Sequence, residues 1–327
     1  MGPVDTYIKN KTPLHGSSLK KKSTQYKRKN IISNIFYILV NQGLSKCISF
    51  FTVTLIVRTL GPSEFGEYSF YLAVIGYAVI FVNFGLGTYG SKKVNQVSSK
   101  NEVVTIISEI VSLKLILAVV TYIPLLILYL LTDIKPLSAL IILNIISFAD
   151  ALNIQWYFKG ILKNKYVVVA TFLQYLTHLS IVLILYKIFN LKIACISVVV
   201  SLLVLTFSQL YILHKHENIR LKLSLLSSSQ VRLIVSSAWP FFLSGLFSII
   251  LFNTDTIFLK IFTSSELVGH YNCAHKVIDV LSNLRYPLIS VFFPVYSQLF
   301  YLNSEKLMIR FFSSFKIIMT GIIILAI

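Results

Sequence analysis

The sequence predicts an all-α protein, a polytopic transmembrane helical bundle, on three observations. Of 327 residues, 56% are hydrophobic and 13% charged, where a soluble domain carries about a quarter charged. The apolar residues collect in runs near the ~20 residues that a helix needs to cross about 30 Å of hydrocarbon. The charges are unbalanced, 30 Lys and Arg against 12 Asp and Glu, and the basic residues cluster between alternate runs, as they do on the inner side of membranes. A soluble enzyme is excluded on the first count. Nucleic acid is set aside as a partner on the last, because topology accounts for the excess of cations.

Residues 1–30 read as a basic, disordered cytoplasmic tail. Lys9, Lys11, Lys20, Lys21, Lys22, Lys27, Arg28 and Lys29 precede the first apolar run, and that run is too long for a cleaved signal. Hydropathy then places nine spans, at 31–57, 67–86, 110–132, 137–158, 166–186, 193–213, 236–259, 270–300 and 311 to the end. An outer loop of about ten residues is expected between the first two, by the typical reach of such connections. Spans three and four carry one charge each, Lys114 and Asp150, and span four closes on Trp156 and Tyr157, a pair expected in an interfacial belt. Span six runs into a basic stretch in which His214 and His216 read as solvated loop histidines. Pro124, Pro240, Pro287 and Pro294 each remove a helix hydrogen bond and predict kinks. Cys47, Cys195 and Cys273 have no paired spacing, which excludes a disulfide framework or a zinc site.

With the N-terminus inside, inner segments hold 20 Lys and Arg and outer segments 5, so an N-in orientation is expected. The chain also repeats. A shift of 202 residues pairs Gly43 with Gly245, Thr52 with Thr254, Thr54 with Thr256, Arg58 with Lys260, Ser63 with Ser265 and Glu64 with Glu266. After one inserted residue, Val268, the match continues as Gly66 with Gly269 and Tyr68 with Tyr271. This predicts two parallel six-helix lobes: a complete one at 31–213, an inter-lobe loop at 214–235, and the first three helices of an incomplete second lobe at 236–327.

Polar residues inside spans are costly and point to a bundle interior or wet cavity. Asn272, Lys276, Asp279, Asn283 and Ser290 share one face of span eight, with Arg285 opposite. Ser237, Ser244, Ser248 and Asp255 line span seven. Asn34, Asn41, Ser45 and Ser49 line span one, beside Lys46 at mid-span. Asp150 stands between Ser147 and Asn153 in span four. A self-neutralising pair, Lys276 with Asp279, is the alternative to a hydrated cavity at span eight.

Arg58-Thr-Leu-Gly61-Pro62-Ser-Glu-Phe-Gly66-Glu-Tyr68, followed by Gln155-Trp-Tyr-Phe-Lys-Gly160 and by Asn253-Thr-Asp-Thr-Ile-Phe-Leu259 running into Gly269-His-Tyr and Phe293-Pro294, resembles a known group. These stretches are similar to the Wzx-like, polysaccharide-type flippases of the multidrug/oligosaccharidyl-lipid/polysaccharide (MOP) superfamily. The resemblance implies a MATE-like fold of two pseudo-repeated lobes about a central cavity, with the second lobe truncated here. It implies transport of an undecaprenyl-diphosphate-linked oligosaccharide from the inner to the outer leaflet of the bacterial inner membrane by alternating access. A polysaccharide polymerase and a chain-length regulator are the protein partners that fit.

Such a substrate needs hydrogen bonds for its hydroxyls, which the Asn and Ser stripes offer, and cations for its diphosphate, which Lys46, Lys276 and Arg285 offer. No cofactor is implied. Asp150, Asp255 and Asp279 either balance the cations or carry a coupling H⁺ or Na⁺. Arg58, Gly61, Pro62, Gly66, Gly160 and Pro294 are expected to be structural. The rival readings are a membrane enzyme of polysaccharide assembly (a polymerase or acyltransferase), a multidrug exporter, and an inert truncated product. His178 and His275 lack the partner motif an enzyme needs, and an exporter of cationic drugs would favour acidic residues.

Overall fold

The computed structural model describes residues 28–97, 99–131, 137–224, 226–283 and 313. Among them every regular element is helical, as the hydropathy requires, because hydrocarbon offers no partner for an unpaired backbone group. The helices are α1 (Arg28–Asn83), α2 (Leu86–Val94), α3 (Lys100–Leu131), α4 (Leu137–Leu152), α5 (Gln155–Gly160), α6 (Asn164–Ile184), α7 (Leu191–Glu217), α8 (Ser228–Phe262) and α9 (Ser265–Asn283). Six segments are long and apolar enough to cross a membrane. Ile184, Leu251 and Phe262 are more than three-quarters exposed, a liability in water and the ordinary state of a lipid-facing side chain. The tail 1–27, and the positions of Arg285, Ser290 and Pro294, lie outside the described residues. So does the ninth span, residue 313 excepted.

α1 covers what hydropathy divides into two spans and a loop. Straight, it would be about 84 Å long at about 1.5 Å per residue. It breaks at Gly61, whose φ of 70° and ψ of 175° belong to a region essentially restricted to glycine. Pro62 follows, with no N–H to leave unpaired. The expected outer loop is therefore replaced by helix on both sides of one glycine, and the two arms of α1 fold apart there. At the other end of the second arm, Phe84 (φ 43°) and Gly85 (φ 70°) turn the chain into α2.

Elsewhere the boundaries move for reasons of capping. The 214–235 loop shrinks to 218–227, because α7 continues through His214 and His216 to Asn218, which takes the left-handed C-cap conformation at φ 51°. α8 then begins at a capping box: Gln230 N–H donates to Ser227 Oγ at 3.3 Å and Ser227 N–H to Gln230 Oε1 at 2.9 Å. Ser-x-x-Gln is a sequence signature of a helix start. His214 and His216 are exposed, but on a helix, and His216 stacks on Tyr166 at 5.1 Å.

Two large apolar clusters hold the bundle, one toward each end, with a small third of Val82, Ala118 and Ala151 between them. Ile56, Leu60, Phe65, Tyr71, Leu143 and Val182 belong to the cluster nearer Gly61. Leu86, Tyr89, Ile110, Trp156, Phe158 and Leu213 belong to that nearer Phe84. Trp156 and Tyr157 are thus core residues with 7% and 4% exposure, and the expected interfacial belt is corrected. Space for the indole comes from Gly90, where a methyl group would meet its ring edge. Gly160, in the same way, lies against Ser91 and Val94 of α2. Between the clusters the helices are joined by polar bonds, such as Thr206 Oγ1 to the Ala149 carbonyl at 3.0 Å and Asn144 Nδ2 to the Thr121 carbonyl at 3.4 Å. In the gap between α4 and α5, Ile154 N–H finds Gln209 Oε1 at 2.9 Å.

α8 and α9 pack on α1 through small residues. A methyl group on Gly66 would enter the Ser265 carbonyl, and one on Gly269 would enter the Pro62 carbonyl. The contact is reciprocal, and it brings two backbones together as only glycine permits. Gly66→Val and Gly269→Val are each expected to lower the thermal midpoint in detergent, with overpacking costing about 1–3 kcal/mol. Gly43→Ala, with nothing within 4 Å of the added methyl, is expected to raise it by the helix-propensity difference of about 0.5–1 kcal/mol. Midpoints equal to wild type for both valine variants would contradict the crossing.

Candidate functional site

One turn beyond the glycine crossing, the second arm of α1 diverges from α9, and a cavity of about 360 Å³ opens between α1, α6, α7, α8 and α9. Ser69, His178, Asn253, Thr256, Asn272, His275 and Lys276 are its polar lining. Asn272 follows Gly269 by three positions and is 8% exposed. Its Nδ2 donates to the Val268 carbonyl at 2.9 Å, and its Oδ1 accepts from Thr256 Oγ1 at 3.2 Å. Tyr77 and Thr254 share a hydrogen bond of 2.6 Å, tying α1 to α8 beside the cavity. The Nε2 of His178 is buried with no hydrogen-bond partner among the described residues. The lining combines an ammonium, two imidazoles, amides and hydroxyls, which suits a polar, anionic ligand.

Two of the expected residues, Asn272 and Lys276, meet in this cavity. Asp255 stands at its edge rather than in its lining. Its Oδ2 accepts from the Tyr271 hydroxyl, its Oδ1 from Thr256 N–H at 2.7 Å, and Tyr271 stacks on His275 at 5.8 Å. Asn41 lies on the first arm of α1, where its Oδ1 accepts from Ser45 Oγ at 3.3 Å; Lys46 is exposed one position further on. Neither belongs to the cavity. Ser237, Ser244 and Ser248 are exposed on α8, away from the face that packs on α1. The side chains of Asp279 and Asn283, and all of Arg285, lie outside the described residues.

Asp150 forms a second polar centre, between α1, α3 and α4. Lys114 Nζ approaches its Oδ2 at 3.4 Å and donates to its backbone carbonyl at 3.3 Å. Asn83 Nδ2 reaches the same Oδ2 at 3.4 Å, and Asn83 Oδ1 accepts from Gly87 N–H at 3.3 Å. Lys114 is 1% exposed and Asp150 19%. Sequence reasoning noted Lys114 only as an in-span charge; the signal available was that spans three and four each carry a single charge, of opposite sign. Asn83 was not marked as functional at all, and His178 was weighed only as an enzyme's histidine, since an isolated histidine or amide on an apolar helix has no periodic partner.

Residues 31–300 match the family model described as polysaccharide biosynthesis protein. A protein of Escherichia coli (strain K12) named as a candidate O-antigen transporter is 26% identical over 282 residues, covering 84% of this chain and 66% of its own length. A protein of Shigella dysenteriae with the same name is 25% identical over 268 residues, covering 81% of this chain and 67% of its own. The chain therefore spans about two thirds of the length of these relatives. Among solved structures, an outward-facing multidrug resistance MATE family transporter of the MOP superfamily superposes with a TM-score of 0.55 at 14% identity, over 83% of this chain and 64% of that one. A MATE structure in complex with MaD3S gives 0.53 at 15%, over 83% and 66%. The fold is that of the MATE transporters.

The buried pair yields a stability test. Lys114→Met leaves a carboxylate in a largely dry site and is expected to cost about 3–5 kcal/mol. Adding Asp150→Leu removes the orphaned charge, and most of that loss is expected to return. Thermal unfolding of both variants in detergent measures it; a double variant no better than Lys114→Met would show that the ion pair is not what the site depends on.

Proposed function

Because the chain belongs to the polysaccharide biosynthesis protein family, we propose that it moves an undecaprenyl-diphosphate-linked oligosaccharide repeat unit from the inner to the outer leaflet of the bacterial inner membrane. The observation that carries this reading is the polar cavity with Lys276 between α1 and α9, in a helical bundle whose relatives are named as transporters. A sugar diphosphate cannot cross hydrocarbon unaided. Its charges need an ammonium partner, and its hydroxyls need amides and hydroxyls, both present in that lining. Lys46, Asn41 and Arg285 are proposed to join this surface in the assembled transporter, with Asp279 and Asn283 beside Lys276.

The N-terminus is cytoplasmic in this reading, on the 20 to 5 division of Lys and Arg. The basic Phe84 end is then the inner mouth, where anionic head groups are concentrated, and the Gly61 end faces outward. Residues 31–213 form the first lobe and 236–327 the beginning of a second. The reciprocal contact of Gly66 and Gly269 supports their origin as a repeat. Alternating access then requires a ligand that binds the two states unequally. Asp255 and Asp279 are the proposed sites for a coupling H⁺ or Na⁺, while Asp150 balances the Lys114 cation. A polymerase and a chain-length regulator would receive the product.

Deletion of the gene is expected to remove surface polysaccharide, and re-expression to restore it. Lys276→Ala, present in the membrane at wild-type level by immunoblot, is expected to restore less than about a tenth of it, the effect of one lost charge-assisted contact, and Lys276→Arg most of it. Full restoration by Lys276→Ala would overturn the assignment of this cavity to the diphosphate.

A further inference from the structure

The transport reading leaves a second chamber unused. It encloses about 370 Å³ at the Phe84 end of the first lobe, between α1, α2, α3, α4 and α5. That is within the ordinary range of ligand pockets, about 300–1,000 Å³. Its walls include Asn83, Thr88, Asp150, Asn153, Gln155 and Trp156, and Lys159 stands exposed at its rim.

The hydrogen-bonding capacity of these walls is largely unspent. The bonds to the Asp150 carboxylate, from Lys114 and Asn83, both end on Oδ2 at 3.4 Å, long for charge-assisted contacts of about 2.7–2.9 Å. Among the described residues Oδ1 accepts nothing. Asn153 uses its Oδ1 to accept from Gln155 N–H at 3.0 Å, while its amide donors have no protein partner there. Neither does the Thr88 hydroxyl or the Gln155 amide. The Trp156 indole N–H is likewise buried and unpaired among the described residues.

The charges in this chamber select the ligand by elimination. A bound anion would meet the Asp150 carboxylate, and a bound cation the buried Lys114 ammonium, while the exposed Lys159 keeps its charge in solvent. The two neutralise one another and leave an array of dipoles. What such an array rewards is a neutral ligand whose groups each donate and accept, beside one flat aromatic wall. We propose that this chamber binds a saccharide through its hydroxyls, at a site separate from the cavity holding Lys276. The occupant is either the glycan of a lipid-linked substrate or a free sugar. The first case rests on the transport reading; the second does not.

The chain has two tryptophans, so Trp239→Phe leaves Trp156 as the sole reporter. The full chain in nanodiscs is titrated with N-acetylglucosamine, galactose, mannose and rhamnose, with glycerol and inorganic pyrophosphate as controls. A saturable change in Trp156 emission with at least one sugar is expected, with Kd in the millimolar range, about −4 kcal/mol, and none with either control. Asn153→Asp keeps an oxygen to accept from Gln155 N–H but replaces the amide donors with a second acceptor and a negative charge. It and Gln155→Ala are each expected to weaken binding about tenfold, the loss of one hydrogen bond, and Lys276→Ala is expected to leave it unchanged. Three results overturn the proposal: no saturable signal from any sugar, saturation by pyrophosphate instead, or binding lost in Lys276→Ala and kept in Asn153→Asp.

The source of the sugar is read in cells. Loss of surface polysaccharide with Asn153→Asp identifies the lipid-linked glycan; normal polysaccharide with lost sugar binding identifies a free one. Failure of the transport reading shows differently, as normal polysaccharide in Lys276→Ala, and leaves the titration untouched.

Discussion

Two helices in a membrane can approach to backbone contact only where side chains are absent, and this bundle places that approach at Gly66 and Gly269. Lipid tails are as apolar as leucine, so no hydrophobic force holds helices together there; close packing and shared polar bonds do. The crossing sets the course of both helices. Next to it, α1 and α9 both contribute polar residues to one cavity, Ser69 from the first and Asn272 and Lys276 from the second. Widening the crossing by one methyl group would shift Asn272 relative to Thr256 and change the cavity before touching any residue that lines it.

The helices from α1 to α7 are organised differently. Their centre holds the Lys114–Asp150 pair, with a small apolar group of Val82, Ala118 and Ala151 beside it, and the larger apolar clusters sit toward the two ends. Lys114 and Asp150 tolerate this depth because each relieves the other's desolvation, helped by Asn83. Asn83 also connects that centre to α8. It is the last residue of α1, and the next, Phe84, stacks on Phe242 of α8 with ring centroids 4.3 Å apart. Two consecutive residues in a strained corner thus link the Asp150 carboxylate to α8 by direct contacts.

Much of this was legible in the chain itself. Hydropathy found the first seven spans because a membrane leaves helices no alternative, and a 100° periodicity put Asn272 and Lys276 on a single face. The repeat pointed to Gly66 and Gly269 as equivalent positions, though not that they touch, because contact depends on how two helices cross. Lys114 and Asp150 are 36 positions apart, and no local pattern reports a partner at that distance. Trp156 looked like an anchor at the interface, since composition alone does not reveal that glycines on α2 make room for it. The loop expected after span one failed for a narrower reason: a single glycine can redirect a helix without any loop.

The bend at Gly61 also sets the depth at which the chain rides in the bilayer. A helix interrupted there leaves carbonyls without intrahelical donors, which water satisfies and hydrocarbon does not. Gly61 therefore belongs at the waterline. From it the second arm, Pro62 to Asn83, is about 33 Å long at about 1.5 Å per residue, one hydrocarbon thickness, so the strained corner at Phe84 and Gly85 meets the opposite waterline. The first arm, reaching back to Arg28, is about 50 Å long by the same measure. That exceeds one hydrocarbon thickness, and because the run from residue 31 to 57 is apolar the arm fits the bilayer by tilting.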